Sequence, residues 1–182
     1  GGKSMELEEV LAAAKECGFD HVGPLDPGKL EFLPEVRDMC AADKCHLYNR
    51  SWMCPPAIGT LEEMSGKAAS YHRGILVQCT TQMEDDFDVE AMEENEQRQK
   101  EAFDRLLVQL RPVFPGCLPM GSGGCTRCES CTFPEAPCRF PEKAYPSMEA
   151  CGLFVSKVCK QNGMEYYYGP KTMTYTSCIL LD

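Results

Sequence analysis

Residues 122–141 read SGGCTRCESCTFPEAPCRFP, and no other stretch limits the fold as tightly. Cys125, Cys128 and Cys131 stand at every third position, Cys138 follows seven residues later, and glycine and proline crowd the gaps. A segment with so few apolar side chains has little to pack with. It must be ordered by a disulfide, a zinc ion or an iron–sulfur cluster.

Length and cysteine usage narrow the choice. The chain has 182 residues and 13 cysteines. That length suits a single domain, 1–182, which buries roughly 70% of its unfolded surface without covalent staples. Cysteine makes up about 7% of the chain, short of a disulfide scaffold, and an odd count leaves one thiol unpaired in any fully oxidised monomer. No stretch approaches the ~18 apolar residues of a membrane span, and no apolar leader region is present. A cytoplasmic protein is expected, where thiols stay reduced and clustered cysteines serve metals or catalysis. The opening GGKS lacks the upstream glycine and strand of a phosphate-binding loop. With Met5 directly after it, residues 1–4 read as a remnant of expression.

A net charge of −10, with no basic stripe, argues against a nucleic-acid surface. Much of the acidity falls between Glu84 and Glu96. Acids are favoured at the positive end of a helix, so this run reads as a solvated helix start. A docking surface for a basic redox partner is the other reading.

The apolar pattern predicts strands alternating with helices. Ser4 caps a helix to about residue 17, 19–25 is a strand, Thr60 caps a helix to about residue 71, and 74–81 is a strand with Ile75, Val77 and Cys79 on one face. The longest helix covers about 89–110, with Met92, Phe103, Leu106, Leu107 and Leu110 in one stripe, and Pro112 stops it. A strand at 113–120, a helix from Ser147 to about residue 160, and strands near 165–168 and 173–181 complete the chain. The fold class is α/β, a mixed sheet flanked by helices, with two cysteine-rich, ferredoxin-like loops inserted at about 35–59 and 117–141.

The spacing C-x2-C-x2-C wraps a loop around a cubane cluster and sends successive thiolates to different irons, while backbone N–H groups face the sulfides. Gly123 and Gly124 allow close approach. In ferredoxins a fourth cysteine and a proline complete the run. Here Cys138 comes after a longer gap, with Pro141 beyond it, which leaves open the cluster it serves. Cys40, Cys45 and Cys54 form an upstream set. Cys54 is followed by Pro55, the mark of a ligand that crosses to a neighbouring cluster. Trp52 shields the site or serves as an ordinary core aromatic.

Structural zinc takes four ligands, commonly from two separated C-x2-C knuckles. Only one region has the knuckle, and it carries a third cysteine that zinc does not need. Iron–sulfur is therefore preferred and zinc is the alternative. Cys17, Cys79, Cys159 and Cys178 read as small buried hydrophobes, whereas Cys117 and Cys151 border the loop and are candidates for an extra ligand. His46 adjoins Cys45 and can ligate or hydrogen-bond a cluster, while His21 and His72 read as structural. No nucleophile with a partnered base and no nucleotide motif emerges.

The strings WMCPP, GGCTRCESC, CRFPEKAYPSMEACG and TMTYTSCILLD, taken in that order, resemble a bacterial and archaeal family of predicted metal-binding proteins known as a domain of unknown function, DUF2284. The resemblance spans nearly the whole chain. It implies a metal site on Cys40, Cys45, Cys54, Cys125, Cys128, Cys131 and Cys138, and no particular reaction. Two cubanes need eight protein ligands for full cysteine coordination, so seven force a division into four and three. A three-cysteine cluster leaves one iron open to water or substrate. Three functions follow: a redox protein with one or two 4Fe-4S clusters and a partner protein, an enzyme whose open iron takes a small-molecule substrate in desulfuration or dehydration, or a zinc-stabilised binding module.

Overall fold

The computed structural model describes residues 4–42 and 46–182. Five α-helices and four strands follow one another in the order α1 (Leu7–Glu16), β1 (His21–Leu25), α2 (Pro34–Ala41), α3 (Leu61–Ala68), β2 (Gly74–Gln82), α4 (Val89–Leu110), β3 (Leu118–Met120), α5 (Val155–Gln161) and β4 (Thr172–Leu180). The strands form one sheet in the order β1-β2-β4-β3. The α/β class expected from the sequence is the class observed.

Side chains that alternate along β2 and β4 feed two cores. Ile75, Val77, Cys79 and Ile179 pack against α1 and α4 through Val10, Ala14, Phe103, Leu106 and Leu110. Leu76, Cys178 and Leu180 face the other way, onto Met64 and Ala68 of α3, Val158 and Cys159 of α5, and Met148 and Leu153. Burial on both faces explains why β2 reads as a near-continuous apolar run. Among the described residues, no helix is long and apolar enough to cross a membrane.

Several elements depart from the sequence reading. Among the described residues every strand pairing is antiparallel, and the parallel contact is an isolated bridge between Gly121 and Ser147. Alternation of strand and helix does not force parallel pairing when the long connections return each strand in the opposite sense. Helix α2 was expected as loop. It starts at Pro34, which suits a first helical position, and carries Cys40 in its last turn. The strand expected at 113–120 shrinks to Leu118–Met120, behind a turn in which the Phe114 and Cys117 backbones are bonded. The helix expected from Ser147 begins at Val155, because the turn capped by the Ser147 hydroxyl ends at Gly152, where φ is +96°. Residues 165–168 form no strand, and Tyr168 instead stacks on His21 with ring centroids 4.1 Å apart. Helix α1 starts after Glu6, not Ser4, with the Glu6 N–H donating to the Glu9 carboxylate at 3.3 Å.

Polar side chains fix α4 against the sheet. Gln99 Nε2 donates to the Val77 carbonyl at 3.1 Å and to Ser177 Oγ at 3.0 Å, and Asn95 Nδ2 donates to the Cys79 carbonyl at 3.0 Å. With those residues turned inward, Glu96, Lys100 and Asp104 form an adjacent stripe at four-residue spacing. This stripe meets the second cysteine loop.

Candidate metal centre

The second loop leaves β3 at Gly121 and runs beside α4. Gly123 adopts φ +72°, and a side chain there would meet Glu96 Oε1 at 2.7 Å. Lys100 Nζ donates to the Gly124 carbonyl at 3.0 Å and to Thr126 Oγ1 at 3.2 Å, and pairs with Glu96 at 3.2 Å. Arg127 forms a two-pronged pair with Asp104, donates to the Lys143 carbonyl at 3.1 Å and lies over the Tyr145 ring. The Tyr145 hydroxyl donates to Asp104 at 3.0 Å. Two cations of the loop region are thus committed to holding it on α4. Farther along, Arg139 donates to the Ser130 carbonyl at 2.8 Å and the Phe140 N–H donates to Cys138 Sγ at 3.4 Å.

The first segment is held from the other side of the site. Helix α2 is clamped to residues 149–152: the Leu33 N–H donates to the Gly152 carbonyl at 2.8 Å, Arg37 Nε to the Ala150 carbonyl at 2.8 Å, and Cys40 Sγ to the Glu149 carbonyl at 3.8 Å. Beyond it, the Asn49 N–H donates to the Pro55 carbonyl at 2.8 Å and the Ile58 N–H to the Cys54 carbonyl at 3.1 Å. Cys54 is buried.

The two segments meet. Trp52 Nε1 donates to the Ala136 carbonyl at 2.9 Å, and its ring meets Phe133 edge-on at 4.8 Å. A side chain at position 124 would run into Leu47. Two cavities lie along this seam. One, of about 290 Å³, is lined by Cys125, Cys128, Cys131 and Cys138 together with Ser51 and Trp52 of the first segment. The other, of about 340 Å³, is lined by Cys40, Cys54, Ser122, Gly123, Gly124 and Glu149, and extends to β4. Cys138 lines the first cavity with Cys125, Cys128 and Cys131, and Cys54 lines the second with Cys40. Trp52 lines the first cavity. Cys45 lies outside the described residues.

Its thiol environment separates Cys131 from the core cysteines. Burial would raise the Cys131 thiol, but the backbone N–H groups of Phe133 and Trp52, the Ser51 hydroxyl and the charge of Arg139 outweigh it and hold its pKa below the usual thiol value. Donors from both segments therefore favour its thiolate, the form that binds metal. Desolvation pushes the core thiols the other way. Cys79 and Cys159 rise to about 11, Cys151 to about 12, and Cys178 well above its ordinary value. Cys17 and Cys117 are also raised by burial. Cys117 belongs to the α1/α4 core and Cys151 to the opposite one, and neither lines the two cavities. His46 is exposed and lines neither.

Among the described residues, no three His, Cys, Asp or Glu side chains converge closely enough for a single bare ion. The four loop cysteines instead surround a space.

Some of the site was not foreseen from the sequence. Glu149 sits in the second cavity wall, and desolvation raises its carboxyl pKa. Ser122, Lys100, Asp104 and Arg127 were likewise missed. A faint signal existed for α4, since Glu96, Lys100 and Asp104 recur at one helical spacing.

The profile of the family described as Predicted metal-binding protein (DUF2284) matches residues 23–181. No curated protein and no solved structure matches the chain. The match covers most of the sequence and both cysteine segments, so the chain belongs to this family of predicted metal-binding proteins.

Proposed function

We propose that this member of the family is a cytoplasmic iron–sulfur protein with a redox role, carrying two 4Fe-4S clusters on seven cysteines. Cys125, Cys128, Cys131 and Cys138 would hold one, and Cys40, Cys45 and Cys54 the other. The observation that carries the reading is the single cavity shared by all four cysteines of the second loop. When bound, such clusters supply one-electron chemistry at potentials set by their surroundings.

The chain's own groups have matching roles. Four donors and charges hold Cys131 toward its thiolate. Lys100, Arg127 and Arg139 bring positive charge to a loop that must carry anionic sulfur. Trp52, on the cavity wall and braced edge-on by Phe133, would shield a bound cluster from water and oxygen. Electrons would pass to a partner protein.

Protein prepared without oxygen should be brown, with broad absorbance near ~400 nm and matching iron and sulfide contents. A colourless protein that keeps stoichiometric zinc after anaerobic reconstitution with iron and sulfide would establish the zinc-stabilised module instead. An enzymatic role at an open iron is the second reading. It is favoured by the extent of the cavity beside Cys40 and Cys54.

A further inference from the structure

Strand β4 outruns one of its two neighbours. It pairs with β2 along its whole length, Thr172 to Leu180, but β3 covers only Cys178, Ile179 and Leu180 on the other side. After Met120 the β3 chain turns away. The Gly121 N–H donates to the Pro146 carbonyl at 2.7 Å, and the Met148 N–H donates to the Gly121 carbonyl at 2.9 Å. Among the described residues, 172–177 are left with one edge that carries no strand.

The pairing fixes which backbone groups face that edge. The Asp20 N–H donates to the Gln78 carbonyl and the Thr80 N–H to the Asp20 carboxylate, each at 2.8 Å. Gln78 and Thr80 thus turn their backbone to the β1 side, and alternation turns Cys79 and Thr81 toward β4. Their partners there are Tyr175 and Met173. The backbone groups of Thr174 and Thr176 therefore point the other way, to the open edge. Pro119 gives the same phase, since it has no N–H to exchange and stands opposite Ile179.

Two donors and two acceptors are left over. The backbone N–H and carbonyl of Thr174 and of Thr176 have no partner on that side among the described residues, although the two residues are only 9% and 4% exposed. Buried backbone groups almost always have partners. Beside them lies the cavity of about 340 Å³, whose wall includes Met173, Thr174, Tyr175 and Thr176 together with Gly123 and Gly124 of the departing chain. Successive strand residues face opposite sides. Four in a row border one cavity because it runs along the strand's edge.

We propose that this gap takes an extended peptide segment of another protein, which pairs with Thr174 and Thr176 as a strand in line with β3. The four backbone groups repeat at about 6.8 Å, two residues of a strand, and a second backbone with that repeat matches all of them. The chain that would continue β3 is already bonded at residues 146–148, so the added strand comes from outside. Val155 and Tyr166 on the cavity wall offer its side chains apolar surface. The pairing does not depend on a metal. The function proposed above adds only that the segment lies beside a cluster on Cys40 and Cys54.

The test is hydrogen exchange, read residue by residue on the anaerobically prepared protein, with iron measured in each sample. In the free protein the Thr174 and Thr176 amides should exchange at least tenfold faster than those of Met173 and Tyr175, which bond β2. An excess of acetyl-Val-Thr-Val-Thr-amide should slow the first two severalfold. The same peptide N-methylated at every residue should slow neither. Thr174→Pro removes an N–H that the fold does not use, so it should fold and bind the peptide at least fivefold more weakly. Thr174 and Thr176 amides as slow as their neighbours in the free monomer would overturn the proposal. So would equal protection by the N-methylated peptide, or protection by neither. Protection that appears without peptide as the protein dimerises, followed by light scattering, would assign the edge to a second copy of this chain and overturn the proposal. Peptide protection in protein that takes up no iron would support the pairing and overturn the metal reading alone.

Discussion

The indole N–H of Trp52 and the carbonyl of Ala136 lie 2.9 Å apart in space and 84 residues apart in sequence. Each belongs to a different cysteine segment, so this one bond joins the two halves of the site. Trp52→Phe keeps the edge-on contact with Phe133 and loses the bond. A cost of about 1 kcal/mol is expected in urea unfolding, together with faster bleaching of the bound metal in air. Bleaching at the wild-type rate would show that the seam does not guard the site.

Cysteines of the loop and of the core should behave oppositely on replacement. Cys128→Ala should abolish iron binding at its cavity and lower stability, since metal–ligand bonds order a loop with little packing of its own. Cys79→Ala should keep full iron content and cost on the order of 1 kcal/mol for a small buried void. Equal iron loss in both would refute the division.

The close approach of Leu47 to Gly124 predicts a compensating pair. Gly124→Val should push the first segment off the second loop and reduce iron retention severalfold. Adding Leu47→Ala should restore it by making room. Iron content of the single and double variants decides the matter, and no recovery in the double variant would count against contact as the cause.

Alkali should destabilise the fold through the core thiols. Cys79 and Cys159 have folded pKa values raised by burial to about 11, against 9.0 for the free thiol. Because the folded values lie above the unfolded ones, the thiol form favours folding. That contribution is whole below about pH 9 and is lost as pH rises toward 11, at on the order of 1–3 kcal/mol per thiol. Urea midpoints measured between pH 8 and pH 11 should fall, and fall less in Cys79→Ala.

The Arg127–Asp104 pair should matter more for the metal than for the fold. Both partners are partly open to solvent, so Arg127→Ala should cost only about 1 kcal/mol. Yet Arg127 also reaches the Lys143 carbonyl and the Tyr145 ring, and its loss frees the loop along a long stretch. Iron should leave the variant several times faster under a chelator. An unchanged rate would mean Lys100 alone secures the loop.

What could be read from the sequence follows the length of each signal. Helix α4 was visible because its stripe repeats over 22 residues, and β2 because it is buried on both faces. The Thr60 cap is observed, with its hydroxyl accepting from the Glu63 N–H at 3.1 Å. Helix α2 was hidden because its eight residues bury only Val36, and what holds it in place is the distant turn at 149–152. The two cysteine segments touch through Trp52, whose indole reaches the Ala136 carbonyl and the Phe133 ring. The grouping of Cys54 with Cys40, and of Cys138 with its own run, depends on how the loops cross, which spacing does not encode. Ser122 and Glu149 are unremarkable letters in a sequence and acquire meaning only from the wall they share.

That shared wall bears on the order of assembly. Within residues 47–55, Tyr48, Cys54 and Pro55 line one cavity and Leu47, Ser51, Trp52 and Met53 the other, and along the second loop Ser122, Gly123 and Gly124 pass from the one to Cys125 at the other. A group that orders Leu47, Ser51, Trp52 and Met53 around the four-cysteine cavity therefore also restrains Tyr48, Cys54 and Pro55 of its neighbour through the continuous backbone. Maturation would then proceed as a hierarchy: the second loop is loaded on its α4 scaffold, and only then does the first segment close into a competent pocket.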